Sequence, residues 1–328
     1  MMIFIISTPT KNCYDNTFPR GIGMLKDRIV YLNGNFAPWG QATVHIMCHS
    51  FSRGSAIFEV IGLHRTHLGT VIFRLDEHLN RLFRSARILG MEIPLSHDDL
   101  YAAVLNTVTN NSLEQGFIKI VCYYPQIAFE ITPPQNPLDV SIFVFDPLQD
   151  LERRQLPGKE ATTICLSKWR KLDPQTVPVE AKVAANYLNG MVARAEAGKR
   201  GFENVLMLDT QGFIAEGGTS SVFLIKNNRL MTPSLGTVLE SITRKTLLEI
   251  AEYLKIETWE GRIPPHFLFE ADEIFMSGTP AKVLPVRRFE DRVFERTPGP
   301  LTRKLSNVVD EIVAGKIEGF KHWLFPAR

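Results

Sequence analysis

The firmest periodic signal lies in Asp76–Ala86, where Leu79, Leu82, Phe83 and Ala86 fall at i, i+3, i+4 and i+7 and Gly90 follows as a stop. This predicts an amphipathic helix. The same spacing recurs at Leu188, Met191, Val192 and Ala195 before Gly201, and at Leu247, Ile250, Ala251 and Leu254 behind Ser241, a natural N-cap. Strand-like runs cover Ile29–Leu32, ending in the turn Asn33-Gly34, then Phe117–Tyr124, Val140–Phe145 and Ile274–Met276. Asn204–Asp209 and Gly212–Ala215 read as a strand, turn, strand unit, and a hairpin crosses Asn227-Asn228, two residues tolerant of positive φ. The first half mixes helix and sheet without regular strand–helix alternation. We therefore expect a mixed α/β (α+β) protein: an arm at 1–27, a small α+β domain at 28–148, a charged linker at 149–160 and a larger domain at 161–328.

Composition narrows the partners. The 328 residues are 45% hydrophobic and 22% charged, and 37 Lys plus Arg against 35 Asp plus Glu leave a net charge of +2. No overall basic field favours nucleic acid or an anionic membrane, so a small molecule is the expected partner. Cys13, Cys48, Cys122 and Cys165 lie far apart with no C-x-x-C pair, which suits a reducing, cytoplasmic compartment and suggests no metal knuckle. The apolar run Met2–Ser7 is too short for a secretory signal, and no segment reaches the ~18 apolar residues of a membrane span. Asn110-Asn111-Ser112 matches the glycosylation pattern and is read as a polar loop.

The common nucleotide-hydrolase, zinc-protease and α/β-hydrolase signatures are missing, and Gly21-Ile22-Gly23 has Lys26 where a dinucleotide fingerprint needs its third glycine. A lysine, a glutamate and a helix start remain. Lys182 stands among small apolar residues in Val179–Tyr187, where dehydration would lower its pKa and make it nucleophilic, unless it is a snorkelling surface lysine. Glu216 ends an apolar strand before Gly217-Gly218 and three hydroxyl residues; it suits a cationic ring nitrogen, or is simply a strand-end acid. Ser241-Ile242-Thr243 opens a helix whose free N–H groups can seat a phosphate, as well as being an ordinary cap. Ser277-Gly278-Thr279-Pro280-Ala281 offers a second cluster of hydroxyls and N–H groups, or a turn.

Taken in order, Phe73–Leu82, Ala181–Leu188, Ala215-Glu216-Gly217, Ser241–Arg244 and Ser277–Ala281 resemble the class IV (fold-type IV) pyridoxal-phosphate enzymes. That group holds the branched-chain and D-amino acid aminotransferases and the aminodeoxychorismate lyases. The similarity runs from about Tyr31 to about Leu305. It implies pyridoxal 5'-phosphate as cofactor, Lys182 as its Schiff-base lysine, Tyr187 on the ring hydroxyl and Glu216 on the ring nitrogen. Arg81, Ile242, Thr243 and Thr279 would bind the phosphate; from the helix pattern alone Arg81 merely pairs with Glu77 at i, i+4. The resemblance implies an aminotransferase working on an amino acid or primary amine with a 2-oxo acid acceptor, with a pyruvate-releasing lyase and a non-catalytic cofactor binder as alternatives. It also implies a homodimer. The substrate side departs from the branched-chain pattern: Arg53-Gly54-Ser55-Ala56-Ile57-Phe58-Glu59-Val60-Ile61-Gly62 has Arg53 for an aromatic and Gly62 for an arginine, and Phe117-Ile118-Lys119 replaces Tyr-x-Arg. Arg53, Phe117, Lys119, Pro280 and Ala281 are the candidate substrate contacts.

Overall fold

The computed structural model describes residues 23–135, 137–151 and 161–327. Residues 1–22 of the expected arm and 152–160 of the expected linker lie outside them.

Two sheets carry the fold. The first contains β1 (Ile29–Leu32), β2 (Asn35–Pro38), β3 (Ile57–Thr66), β4 (Gly69–Phe73), β5 (Gly116–Tyr123) and β6 (Asp139–Phe145). The second contains β7 (Thr162–Leu166), β8 (Asn204–Leu208), β9 (Ile214–Gly217), β10 (Ser221–Lys226), β11 (Arg229–Pro233), β12 (Thr258–Gly261), β13 (Glu273–Ser277), β14 (Leu284–Phe289) and β15 (Arg292–Val293). The last strand, β16 (Leu324–Pro326), returns to pair with β4, giving the first sheet the order β16-β4-β3-β5-β6-β1-β2. All its pairs are antiparallel, whereas β7 runs parallel to both β8 and β14 in the second sheet. The helices are α1 (His49–Arg53), α2 (Leu75–Ile88), α3 (His97–Asn111), α4 (Tyr187–Lys199), α5 (Ile242–Tyr253), α6 (Phe267–Glu270) and α7 (Pro300–Val313).

Helices α2 and α3 pack on one face of the first sheet and form a core with Ile57, Ile61, Ile118, Ile120 and Ile142. Leu79, Leu82 and Ala86 are buried there, as their spacing predicts. The period-2 alternation of β3 aims Ile57, Glu59, Ile61 and Leu63 at α2, which leaves Phe58, Val60, Gly62 and His64 on the opposite face. Cross-strand pairing sets Val60 beside Lys119 and Gly62 beside Phe117 on that face. Asn227 and Asn228 adopt φ of 51° and 60°, the left-handed pair that a tight β10–β11 hairpin requires. Ser241 caps α5 by accepting from the Arg244 N–H.

Three sequence expectations are corrected. On α4 the stripe Leu188, Met191 and Ala195 is exposed, Leu188 at 60% and Met191 at 61%, while Gly190, Ala193 and Ala197 are buried. Close approach decides this: a Cβ at Gly190 would lie 2.0 Å from the Gly218 carbonyl oxygen, so α4 presses its smallest side chains onto the turn after Glu216. Asp150, expected in an exposed linker, is fully buried and receives two hydrogen bonds from the Arg28 guanidinium, at 3.0 and 3.1 Å. Asn111 is no loop residue; it ends α3 and its side chain bonds both the N–H and the carbonyl of Ile29, each at 2.8 Å. Helix α3 itself has small and hydroxylated residues among its buried positions (Ala103, Thr107), which weakens the apolar period that would mark it.

Candidate active site

Lys182 sits where the two sheets meet. Its N–H donates to Ser85 Oγ of α2 at 3.0 Å and its carbonyl accepts from the Phe58 N–H of β3 at 3.1 Å, so the backbone of this segment is fixed from the first sheet. The side chain enters a cavity also lined by Arg81, Lys171, Tyr187, Glu216, Thr219, Ser220, Ser221, Ser241, Ile242 and Thr279. Lys182 Nζ donates to Tyr187 Oη at 2.5 Å and lies 4.7 Å from the centre of the Phe58 ring. Burial, reinforced by the nearby Arg81 charge, lowers the Lys182 pKa to about 7. An amine with that value is substantially neutral near physiological pH, as a nucleophile requires. Burial raises the Tyr187 phenol, so the hydroxyl keeps its proton.

Glu216, at the buried end of β9, pairs through Oε1 with Lys171 Nζ at 2.6 Å. Arg81 is held from behind. Its Nε and Nη2 donate to the two oxygens of Glu59, both at 2.7 Å, and Nη1 donates to the Glu240 carbonyl at 3.0 Å. Burial alone would raise the Glu59 carboxyl, but Arg81 and then His78 outweigh it and hold it at about 2. Arg81 therefore does not pair with Glu77, which bonds Arg74 and Lys245. Two of the five guanidinium N–H groups remain for a ligand.

The cavity fits a phosphorylated pyridine. The Ser221 hydroxyl, one of its lining groups, is buried without a hydrogen-bond partner among the described residues. The first N–H groups of α5 have no intrahelical acceptor, and Ile242 brings that helix end to the cavity wall. Anion donors thus stand at one end, a carboxylate whose second oxygen is unpaired among the described residues in one wall, and an amine between them.

Of the residues singled out in the sequence, Lys182, Arg81, Tyr187, Glu216, Ile242 and Thr279 converge on this cavity. Thr243 is buried within α5 and does not line it. Phe117 packs against Phe145, while Lys119 Nζ lies 5.4 Å from the centre of the Phe58 ring that also contacts Lys182. Arg53 is exposed on α1 and donates to the Phe129 carbonyl; Pro280 and Ala281 stand just beyond Thr279, outside the lining. A Cβ at Gly62 would meet His64 Nε2 at 2.6 Å, so the His64 ring would have to move aside. The sequence reading did not select Lys171 or Glu59. The signal for Glu59 was a lone charge on the inward face of an apolar strand; Lys171 closes the run Lys168-Trp169-Arg170-Lys171, which offers three cations with nothing to distinguish them.

A mixed α/β fold of two sheets with a lysine, a carboxylate and a helix start around one cavity matches the solved branched-chain aminotransferases, pyridoxal-phosphate enzymes of fold type IV. Residues 56–289 match the amino-transferase class IV family, and the chain belongs to it. The branched-chain-amino-acid aminotransferase of Escherichia coli K12 is 32% identical over 298 residues, 90% of this chain and 96% of that one. Its counterpart from Salmonella typhimurium is 32% identical over 302 residues, 91% and 97% of the two chains. Among solved structures, the branched-chain aminotransferase of Thermoproteus uzoniensis with norvaline superposes with a TM-score of 0.87 at 31% identity, covering 92% of this chain and 99% of that one. The Escherichia coli enzyme gives 0.87 at 30% identity and the same coverage. Class IV aminotransferases use pyridoxal 5'-phosphate, and this chain is such an aminotransferase. Among the described residues no helix is long and apolar enough to cross a membrane.

Proposed function

We propose that the chain moves an amino group between an amino acid and a 2-oxo acid with Lys182 as its catalytic amine. The observation that carries this is the convergence of Lys182, Tyr187, Glu216 and the start of α5 on one cavity. Pyridoxal phosphate bound there supplies an electron sink for the substrate α-carbon. Glu216 holds a proton on the ring nitrogen; Tyr187 bonds the ring hydroxyl; Arg81, Ile242 and Thr279, with Thr243 behind them, seat the phosphate. Lys182 Nζ, poised near pH 7, takes up and returns the proton of the α-carbon. Lys119 is the cation for the substrate carboxylate, a point charge in place of a guanidinium fork. The branched-chain names of the relatives make leucine, isoleucine and valine the first donors to test, and transfer rather than lyase release of pyruvate the reaction.

The purified protein should be yellow, and borohydride should fix the cofactor on the peptide carrying Lys182. A panel of L- and D-amino acids and simple amines, with 2-oxoglutarate and pyruvate as acceptors, reads the specificity. A protein that takes up no pyridoxal phosphate, or turns over no donor in the panel, would sink this reading.

The homodimer belongs to the same proposal. The segments 46–51 and 127–131 are tied by the Ala128 N–H to Met47 carbonyl bond, and together they expose Ile46, Met47, Phe51, Ile127, Phe129 and Ile131, the last two at 83% and 84%. A patch of that kind suits burial against a second copy. Sedimentation at a single monomer mass would count against it. Cys48, Cys122 and Cys165 are buried free thiols, which suits the cytoplasm.

A further inference from the structure

We infer that Lys171 is a positioning residue: by gripping one oxygen of Glu216 it presents the other to the cofactor's ring nitrogen. The inference rests on the reading of Glu216 as the ring-nitrogen partner. Four observations carry it. The Lys171 backbone is anchored, its N–H donating to the Leu208 carbonyl at 2.8 Å at the end of β8. Its side chain crosses to the adjoining strand β9, where Nζ meets Glu216 Oε1 at 2.6 Å. Both side chains are nine-tenths buried, at 11% and 10% exposure. Among the described residues no other group is paired with the Glu216 carboxylate, and both partners line the cavity that holds Lys182.

The physical need is plain. A buried carboxylate without a partner carries an uncompensated desolvation cost. It is also free to rotate. An ammonium fixed on one oxygen removes both faults, offsetting that cost and turning the remaining lone pairs into the cavity. The partner for the ring is then set before any cofactor enters, which lowers the reorganisation that binding requires.

The test uses the full-length protein stripped of cofactor and reloaded with either pyridoxal phosphate or its analogue with carbon in place of the ring nitrogen. Lys171→Met should weaken pyridoxal phosphate by about tenfold, the scale of one charge-assisted contact, and change the analogue by less than about twofold, because the analogue has no ring N–H for Glu216 to hold. Lys171→Arg should restore the natural cofactor's affinity. In a Glu216→Gln background, which removes the buried carboxylate and keeps the fold available should Lys171→Met alone fail to fold, the further Lys171→Met change should leave cofactor affinity unaltered. Equal losses for both ligands would show a merely structural lysine, and no loss for either would also overturn the inference. Wild-type protein that takes up neither ligand removes the proposed function together with the inference; wild-type uptake with an unaffected Lys171→Met variant removes the inference alone.

Discussion

The cavity and the β3–β5 face beside it handle charge in opposite ways. In the cavity two buried cations have counter-ions inside the protein, Arg81 with Glu59 and Lys171 with Glu216. On the β3–β5 face, Lys119 has no carboxylate within ion-pair distance among the described residues, and burial alone lowers its pKa. An ion pair closed by the protein is neutral overall, so a phosphate in the cavity is met mainly by oriented N–H groups of α5 and by directed hydrogen bonds. An unpaired ammonium is instead a standing desolvation cost that a passing carboxylate relieves. On the proposed assignment, a group meant to stay would find its charges settled in advance, and a substrate that must come and go would find one left open.

The largest expected effect breaks the cofactor end at its centre. Lys182→Ala should lower transamination by more than about a thousandfold, the scale on which enzymes depend on their nucleophile, while circular dichroism stays that of the parent. Normal turnover in that variant would show that the amine lies elsewhere. Glu59→Leu attacks the support instead. It leaves the Arg81 charge buried without its two 2.7 Å bonds, and breaking one side of such a pair costs about 3–5 kcal/mol. Denaturant unfolding of the cofactor-free protein reads this directly, and a loss below about 1 kcal/mol would mean that Arg81 re-solvates and that the pair is not structural.

The contrast between the two regions also explains what was legible in the sequence. Lys182, Tyr187, Glu216 and the α5 start are chemistry on local motifs, a few residues each, and a motif is read along the chain. Their supports are not local: Glu59 lies 22 residues from Arg81, and Lys171 is 45 residues from Glu216. Pairing partners of that kind become visible only when strands are laid side by side. Periodicity served well where one face of an element is buried, as at Leu79, Leu82 and Ala86, and misled on α4, where packing demanded glycine and alanine and left Leu188 and Met191 outside. Arg81 failed the same way, since a helix pattern cannot show a buried acid on the strand the helix packs against.

The remaining predictions sharpen the contrast. Lys182 has a folded-state pKa near 7 against the ordinary 10.5, so between those values the unfolded chain binds the proton that the folded chain has released. Cofactor-free stability should then gain from rising pH between about 7 and 10. Lys182→Met should lack that gain, which parallel melts of the two proteins would show; identical slopes would mean that the amine is solvated. The smallest effect belongs to the open charge. Lys119→Met removes the charge but keeps the stem over Phe58, and one contact to a carboxylate is worth about tenfold in binding. If Lys119 grips the substrate carboxylate equally before and during reaction, KM for an amino acid should rise by about that factor with kcat little changed, and a simple amine lacking the carboxylate should show no such rise. A rise shared by both donors would mean that Lys119 shapes the cavity instead of reading the carboxylate. The open charge would then belong to the fold, as the closed ones do.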